Sequence, residues 1–336
     1  MIRRLHDWFL DTWYGGSGRG RWLLPLAWLF AGLARFRRAM YGRGVFARYH
    51  SRRTVVVVGN LTVGGAGKTP VVAWLAEELG RKDMRVGIAM RGYGGAGGAP
   101  RRLTRADSAA SAGDEPLMLH RRLGVPVAIA ARRADAVRLL EPDCDVIVCD
   151  DGLQHYALAR DVEVAVVDGM RAFGNGRCLP AGPLREPVSR LAEVDAVVVN
   201  GGSFERDGAI RMVLEPSSVV SLGDGSRRPL SGYAGREVVA AAAIGNPERF
   251  FEMLRAHGLD VEPRTLPDHA AFTPQRAGAG QGKPVLLTEK DAVKCIGRGW
   301  DGAAYVEVKA VIDAGAAAPL LEAIARQAAR KQGADA

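Results

Sequence analysis

Residues 55–58 are four valines in succession, and they run directly into Gly59-Asn60-Leu61-Thr62-Val63-Gly64-Gly65-Ala66-Gly67-Lys68-Thr69-Pro70. A short β-branched run reads as a buried strand, glycines allow the backbone to turn back sharply, and the apolar stretch beyond Pro70 has helical length. Strand, Gly-Gly-x-Gly-Lys-Thr and helix together make a phosphate-binding loop. Successive backbone N–H groups turn inward around phosphate oxygens, Lys68 reaches the β- and γ-phosphates, and the Thr69 hydroxyl ligates Mg²⁺ at a helix amino terminus. Thr62 stands where the general pattern has its first glycine, so the reading rests on the three features jointly. Thr62, Val63, Gly64, Gly65, Ala66, Gly67, Lys68 and Thr69 are the residues expected around the nucleotide, with Thr69 also on the metal.

The chain around this loop has the matching rhythm. Residues 86–90, 125–130, 146–149, 162–167 and 196–199 are further apolar, β-branched runs, with helical stretches such as 70–79 and 135–140 between some of them. Such alternation predicts a doubly wound, mostly parallel sheet of the P-loop NTPase type. Residues 203–234 turn rich in Gly, Ser and Pro and read as a linker with room for a hairpin. A second, smaller α/β unit follows, with strands over 238–244, 285–288 and 304–311 and helices over 247–257 and 317–331. The expected organisation is an amino-terminal helical segment over 1–53, a kinase-like domain over 54–205, a linker over 206–234 and a smaller α/β domain over 235–336.

Charge separates the first segment from the rest. Residues 1–53 hold eleven arginines and no lysine against Asp7 and Asp11, which is the whole formal charge of +9; the remainder is balanced. A nucleic-acid enzyme more often spreads basic surface over its catalytic domain. Here the excess lies beside Trp8, Trp13, Trp22 and Trp28, in an amphipathic helix over 2–13 and an apolar run over 22–34 that ends in Arg35, Arg37 and Arg38. Thirteen apolar residues fall short of the roughly 18 a spanning helix needs. An aromatic and arginine mixture suits the headgroup layer, so a membrane surface carrying anionic lipids is expected rather than nucleic acid; a helical hairpin packed on protein is the alternative. Acidic residues and Gly15-Gly16 precede the apolar run and no small-residue cleavage site follows it, so the chain is expected to begin at Met1. Cys144, Cys149, Cys178 and Cys295 have neither CxxC spacing nor histidine partners and are expected to be reduced and buried.

Asp150 and Asp151 close the apolar run 146–149, at the strand end where open α/β sheets bind ligands. Beside a phosphate loop this is a Walker B arrangement, in which one aspartate holds Mg²⁺ directly or through water. Phosphoryl transfer also needs a carboxylate to orient the acceptor hydroxyl. Asp114, in Gly113-Asp114-Glu115-Pro116 ahead of an apolar helix, has that chemistry, although the same position suits a helix N-cap. Arg185 and Glu186 lie in a proline-bounded loop, where a surface pair is the plainer alternative.

Six strings then occur in one order: Asn60-Leu61-Thr62-Val63-Gly64-Gly65, Arg91-Gly92-Tyr93-Gly94, Gly113-Asp114-Glu115-Pro116, Asp150-Asp151-Gly152-Leu153-Gln154-His155, Leu179-Pro180-Ala181-Gly182-Pro183-Leu184-Arg185-Glu186-Pro187 and Leu287-Thr288-Glu289-Lys290-Asp291-Ala292. In that order, and over most of the chain, the sequence resembles the tetraacyldisaccharide 4'-kinases. The resemblance implies transfer of the γ-phosphoryl of ATP, with Mg²⁺, to the 4'-hydroxyl of a tetraacylated glucosamine disaccharide 1-phosphate. It places the enzyme on the cytoplasmic face of the bacterial inner membrane. It also implies that Asp114 is the catalytic base supported by His269, that Gln154 and Arg185 contact the nucleotide, and that Glu186 joins Asp150 and Asp151 at the metal. Ala66 replaces the threonine usual in the loop, and Asp268-His269-Ala270 replaces a common Asp-His-His. Two other readings remain: a P-loop enzyme of a soluble metabolite, with the amino-terminal segment as a dimer interface, and a membrane-bound switch that hydrolyses ATP or GTP to drive assembly. Nothing resembles a guanine-reading Asn-Lys-x-Asp, yet Asn60 and Asn200 leave the base open.

Overall fold

A computed structural model describes the chain apart from residues 1, 17, 19, 92–98, 268–271, 279–281, 296–299, 301 and 335–336, and describes residues 2–6 and 334 by their helical backbone alone. The elements begin with α1 (Ile2–Tyr14), α2 (Leu24–Gly42), β1 (Thr54–Gly59), α3 (Lys68–Gly80), β2 (Val86–Met90), β3 (Arg101–Arg102) and α4 (Ala109–Ala112). Next come α5 (Asp114–Leu123), β4 (Val127–Ile129), α6 (Arg133–Leu140), β5 (Val146–Asp150), β6 (Val162–Asp168), β7 (Ala196–Asn200), β8 (Ile210–Ser221) and β9 (Arg227–Arg228). The chain ends through β10 (Glu237–Ala242), α7 (Pro247–Ala256), β11 (Asp260–Thr265), β12 (Val285–Thr288), α8 (Glu289–Ala292), β13 (Ala303–Ile312) and α9 (Ala314–Ala334).

Two compact units result, and their boundaries are not those of the expected domains. The first comprises residues 1–90, 132–213 and 312–336, the second residues 91–131 and 214–311. Residues 91–131, expected in the kinase-like domain, therefore group with the later strands. The closing helix α9 belongs to the first unit: Lys331 ties it to Asp161 at 2.6 Å and to the carbonyls of Ser51 and Arg53, just before β1. Most of the expected linker is β8, twelve residues long, whose start pairs in parallel with β7 and whose end pairs antiparallel with β9.

In the first unit, β7, β6, β1, β5 and β2 lie in that order, all parallel. β1 is buried along its whole length, as an uninterrupted valine run requires when both faces of a parallel sheet are covered. Its register with β5 sets Val58 opposite Asp150, so the phosphate loop and the paired aspartates leave the sheet side by side at the carboxyl ends of neighbouring strands. In the second unit β11, β10, β12 and β13 are parallel, and β3 with β4 form a short antiparallel pair. Phe251 and Leu254 pack against one face of β10 and β12, Phe272 and Trp300 against the other. The four cysteines are free and buried, and burial pushes the Cys149 thiol up to about 12.

The amino-terminal helices divide their apolar residues. Trp8 and Phe9 pack with Leu23, Ala27 and Ala181, and Trp13 donates its indole N–H to the Pro180 carbonyl at 3.0 Å. These tryptophans, expected at a lipid surface, are thus half-buried against the first unit, because an amphipathic helix reads alike whether protein or lipid covers its apolar face. Trp22 and Trp28 are 68% and 69% exposed. With Trp22, Leu26, Leu29, Leu33 and Phe36 form one helical stripe, all exposed. No helix among the described residues is long and apolar enough to cross a membrane.

Candidate active site

The loop between β1 and α3 is held by two buried asparagines. The Asn60 side chain donates to the Thr62 hydroxyl at 3.3 Å and the Gly64 carbonyl at 3.2 Å, while its amide oxygen, Oδ1, accepts from the Lys68 ammonium at 3.1 Å. Asn200, at the end of β7, donates to the Ala66 carbonyl at 3.1 Å. Both are fully buried, so these asparagines shape the loop and leave the choice of base to other residues. Gly67 has φ of +92° as α3 begins, and a Cβ there would lie 2.3 Å from the Asn200 amide nitrogen. Only glycine fits that backbone and that contact.

Residues 61–63 run beside the proline-bounded loop. Thr62 and Leu184 form an antiparallel bridge, the Arg185 N–H donates to the Leu61 carbonyl at 2.6 Å, and the Val63 N–H donates to the Pro183 carbonyl at 2.8 Å. This pairing delivers Arg185 to Asp151, which it meets through one guanidinium nitrogen at 3.0 and 3.2 Å. Lys68 approaches the same carboxylate at 3.5 Å. Burial works against the Asp151 charge, but Lys68 and Arg185 outweigh it and hold the carboxyl below the usual aspartate range. The Asp151 backbone is left-handed, with φ of +50°, a conformation that aspartate tolerates better than most residues. A non-glycine residue held there against its preference is the kind of strain found at binding sites.

Asp150 differs from its neighbour. It is buried, accepts the Thr69 hydroxyl at 3.0 Å, and has its backbone carbonyl gripped by Arg133 at 2.8 Å. Thr69 and Asp150 thus offer a hydroxyl and a carboxylate in contact, with Asp151 adjacent in sequence. An all-oxygen donor set of this size fits Mg²⁺, which binds one or two carboxylates and completes its octahedron with water and phosphate oxygens. No cluster of three or more His, Cys, Asp or Glu side chains that could close around a metal occurs among the described residues.

Glu186, expected at the metal, is 3% exposed, and both its oxygens are engaged. One accepts from Gln154 at 3.1 Å and the other from the Tyr156 hydroxyl. Burial, with the Glu186 charge beside it, pushes the Tyr156 hydroxyl up to about 12, so it stays a donor. Gln154 also donates to the Asn60 carbonyl at 3.3 Å. In this arrangement Glu186 braces Gln154 against the phosphate loop. Arg133, Tyr156 and the loop-shaping role of the asparagines escaped sequence reasoning. Their partners lie far off in the chain, and the only local signal was that Asn60 and Asn200 sit at the carboxyl ends of strands.

In the second unit, Asp114 is the first residue of α5 and Gly113 occupies the cap position, so Asp114 is not the N-cap its sequence context allowed. It is 8% exposed and paired with Lys294 at 3.2 Å. His269 lies outside the described residues, as do Gly92, Tyr93 and Gly94.

The model of the family described as tetraacyldisaccharide-1-P 4'-kinase matches residues 19–326. The chain belongs to this family. Among its kinase relatives, one from Aeromonas hydrophila is 49% identical over 309 residues, covering 90% of this chain and 91% of the relative; both it and the next are named tetraacyldisaccharide 4'-kinase. One from Pseudomonas putida is 45% identical over 312 residues, covering 91% and 93%. Among solved structures, that of LpxK from Aquifex aeolicus in complex with ATP superposes with a TM-score of 0.79 at 29% identity, over 92% of this chain and 99% of that one. The chain is thus a kinase with the P-loop type of α/β fold.

Proposed function

We propose that the protein transfers the γ-phosphoryl group of ATP to the 4'-hydroxyl of a tetraacylated glucosamine disaccharide 1-phosphate at the cytoplasmic face of the inner membrane. The observation that carries this reading is the joined constellation of Lys68, Thr69, Asp150, Asp151 and Arg185 at the carboxyl ends of β1 and β5, in a chain of this family.

The chemistry asks little covalent work of the protein and much placement and charge. The backbone N–H groups of residues 64–69 bind the β- and γ-phosphates, with Gly67 allowing their approach. Lys68, steadied by Asn60 and Asp151, neutralises charge on the transferring group. Thr69 with Asp150 and Asp151 would hold Mg²⁺, which when bound neutralises charge between the β- and γ-phosphates. Arg185, carried beside the loop and salt-bridged to Asp151, is a second cation for the charge that develops in transfer. The acceptor's 4'-hydroxyl gives its proton to Asp114 as its oxygen bonds to the γ-phosphorus. The bond from that phosphorus to the bridging oxygen breaks, and the electron pair leaves with ADP.

The exposed stripe of α2 gives the enzyme a way to reach an acyl-chain substrate. Trp22, just before α2, with Leu26, Leu29, Leu33 and Phe36 forms a solvent-facing apolar line, and exposed Arg35 and Arg37 flank its last residue. Such a surface enters the boundary between headgroups and acyl chains without spanning the bilayer. Incubation with γ-labelled ATP and tetraacyldisaccharide 1-phosphate in detergent tests the proposal. Label should appear in the lipid; label appearing only as inorganic phosphate, with or without lipid, would refute it and favour the nucleotide-hydrolysing switch.

A further inference from the structure

The string from Thr288 to Ala292 lies in the second unit, away from the phosphate loop in sequence, and the kinase mechanism above gives it no part. Its side chains, together with Lys294 two residues beyond it, nevertheless build a charge chain that ends on Asp114. β12 stops at Thr288, whose hydroxyl accepts the Asp291 N–H at 3.2 Å and donates to the Asp291 carboxylate at 2.7 Å, starting α8. The same carboxylate oxygen, Oδ2, accepts the Ala243 N–H at 2.9 Å, and Asp291 is fully buried. Its other oxygen, Oδ1, accepts from the Lys294 ammonium at 3.0 Å. Lys294 in turn reaches Asp114 Oδ2 at 3.2 Å and lies over the buried Phe272 ring, 5.5 Å from its centre.

The arrangement is asymmetric in a way that suggests its use. Asp291 has backbone and hydroxyl donors of its own and is fixed by its place in the strand-to-helix turn. Lys294, with a side chain only 9% exposed, is fixed by Asp291 and by Phe272. The ammonium is therefore a placed charge, and Asp114 is the group it positions. Two further pairs join the same helices, Lys290 with Glu115 and Arg122 with Glu289, each at 3.1 Å, so α5 is held to α8 with Asp114 at its first turn. An ammonium on one oxygen of a carboxylate restricts its rotation and turns proton uptake to the other oxygen, which narrows the direction from which the acceptor hydroxyl can approach. Misplacement of a reacting group by about 1 Å is enough to cost about 10²-fold in rate.

We propose that Lys294 is a positioning residue for phosphoryl transfer, holding the Asp114 carboxylate in the orientation that accepts the acceptor hydroxyl's proton. The inference rests on the kinase reading in which Asp114 is the base. Lys294 forms and breaks no bond: the proton moves from the acceptor oxygen to Asp114, and Lys294 stays an ammonium throughout. Asp291 acts one step further back, through Lys294.

The test is a kinetic cycle on the full chain, with phosphate transfer to tetraacyldisaccharide 1-phosphate measured for wild type, Lys294→Gln, Lys294→Arg, Asp114→Asn and the double variant Asp114→Asn/Lys294→Gln. Lys294→Gln should lower kcat by about 10–100-fold with KM for ATP nearly unchanged, and Lys294→Arg should recover part of that loss. In the Asp114→Asn background, Lys294→Gln should cost less than about threefold, because the group it orients is already disabled. Thermal melting of each variant accompanies the kinetics. Should Lys294→Gln not fold, Lys294→Arg carries the same comparison in the two backgrounds, since it keeps a cation for both carboxylates. An equal loss in both backgrounds would show a merely structural lysine and overturn the inference alone, as would a Lys294→Gln enzyme with wild-type kcat. No transfer by the wild type would instead overturn the kinase reading, and this inference with it.

Discussion

Gly67→Ala is the substitution whose cost the structure sets out most fully. At φ of +92° an L-residue is strained, and its Cβ would stand 2.3 Å from the Asn200 amide nitrogen, which now donates to the Ala66 carbonyl. The backbone part is about 1–2 kcal/mol, and expelling Asn200 leaves a buried carbonyl without its donor, about 1–3 kcal/mol more, for a total of about 2–5 kcal/mol. Urea unfolding followed by circular dichroism measures it. Asn200→Ala alone should cost about 1–3 kcal/mol, and the double variant should cost less than the sum, because both changes lose one hydrogen bond. Function should fall further than stability, since the N–H groups that face phosphate belong to the distorted backbone, and transfer should drop by about 10²-fold or more. A Gly67→Ala protein within about 0.5 kcal/mol of wild type and with unchanged nucleotide binding would refute this account of the loop. Strict additivity with Asn200→Ala would refute the shared contact.

Three other outcomes are expected. Lys68→Ala should lower turnover by about 10²-fold or more with circular dichroism unchanged, because its ammonium supports the transferring charge and no apolar core; near-full activity would remove it from the site. Arg35→Gln with Arg37→Gln should weaken sedimentation with anionic vesicles by up to about 1 kcal/mol per residue while sparing nucleotide binding, and the intact protein should keep some binding at high salt through its tryptophan and leucine stripe. Arg38→Gln should add less, since Arg38 is already paired with Glu193 at 2.6 Å, and failure of the intact protein to bind vesicles at low salt would revive the dimer-interface reading. Burial pushes the Glu289 carboxyl up to about 7 against the pull of Arg122. The folded state then holds a proton that the unfolded chain releases near the ordinary glutamate value, so this contribution is present at low pH and is lost as pH rises through about 7. Glu289→Gln removes that slope, and its stability relative to wild type should improve between pH 5 and 8; an unchanged difference in urea unfolding across that range would contradict the assignment.

The phosphate loop and the paired aspartates were legible because their chemistry is local: strand, glycines, Lys-Thr and helix are neighbours in sequence, and Asp150-Asp151 closes an apolar run. Two of the longer strands, beside the two-residue β3 and β9, were not. β8 carries Pro216 and adjacent serines and alternates exposed with buried positions, so its composition reads as a linker. β11 is exposed along most of its length and contains Pro263, which an edge strand tolerates and a sequence pattern takes as a break. The unit boundaries escaped for a different reason, since α9 returns to β1 through Lys331 and Asp161, a contact no window of sequence contains. At the site the same limit applied. Glu186 reads as an acidic residue beside an arginine, and only the fold brings Tyr156 and Gln154 onto its two oxygens. Lys294 stands out in no sequence pattern, and its place in the turn after α8 gains meaning only when Asp114 and Asp291 are seen on either side of it.

The central claim is that a lipid hydroxyl, rather than water, takes the phosphoryl group, and acceptor dependence of ADP release tests it most directly. With ATP and Mg²⁺ but no acceptor, ADP should form at a small fraction of the full rate; adding tetraacyldisaccharide 1-phosphate should start turnover, with one ADP released for each lipid phosphorylated. ADP release at the same rate with and without the lipid would contradict the account.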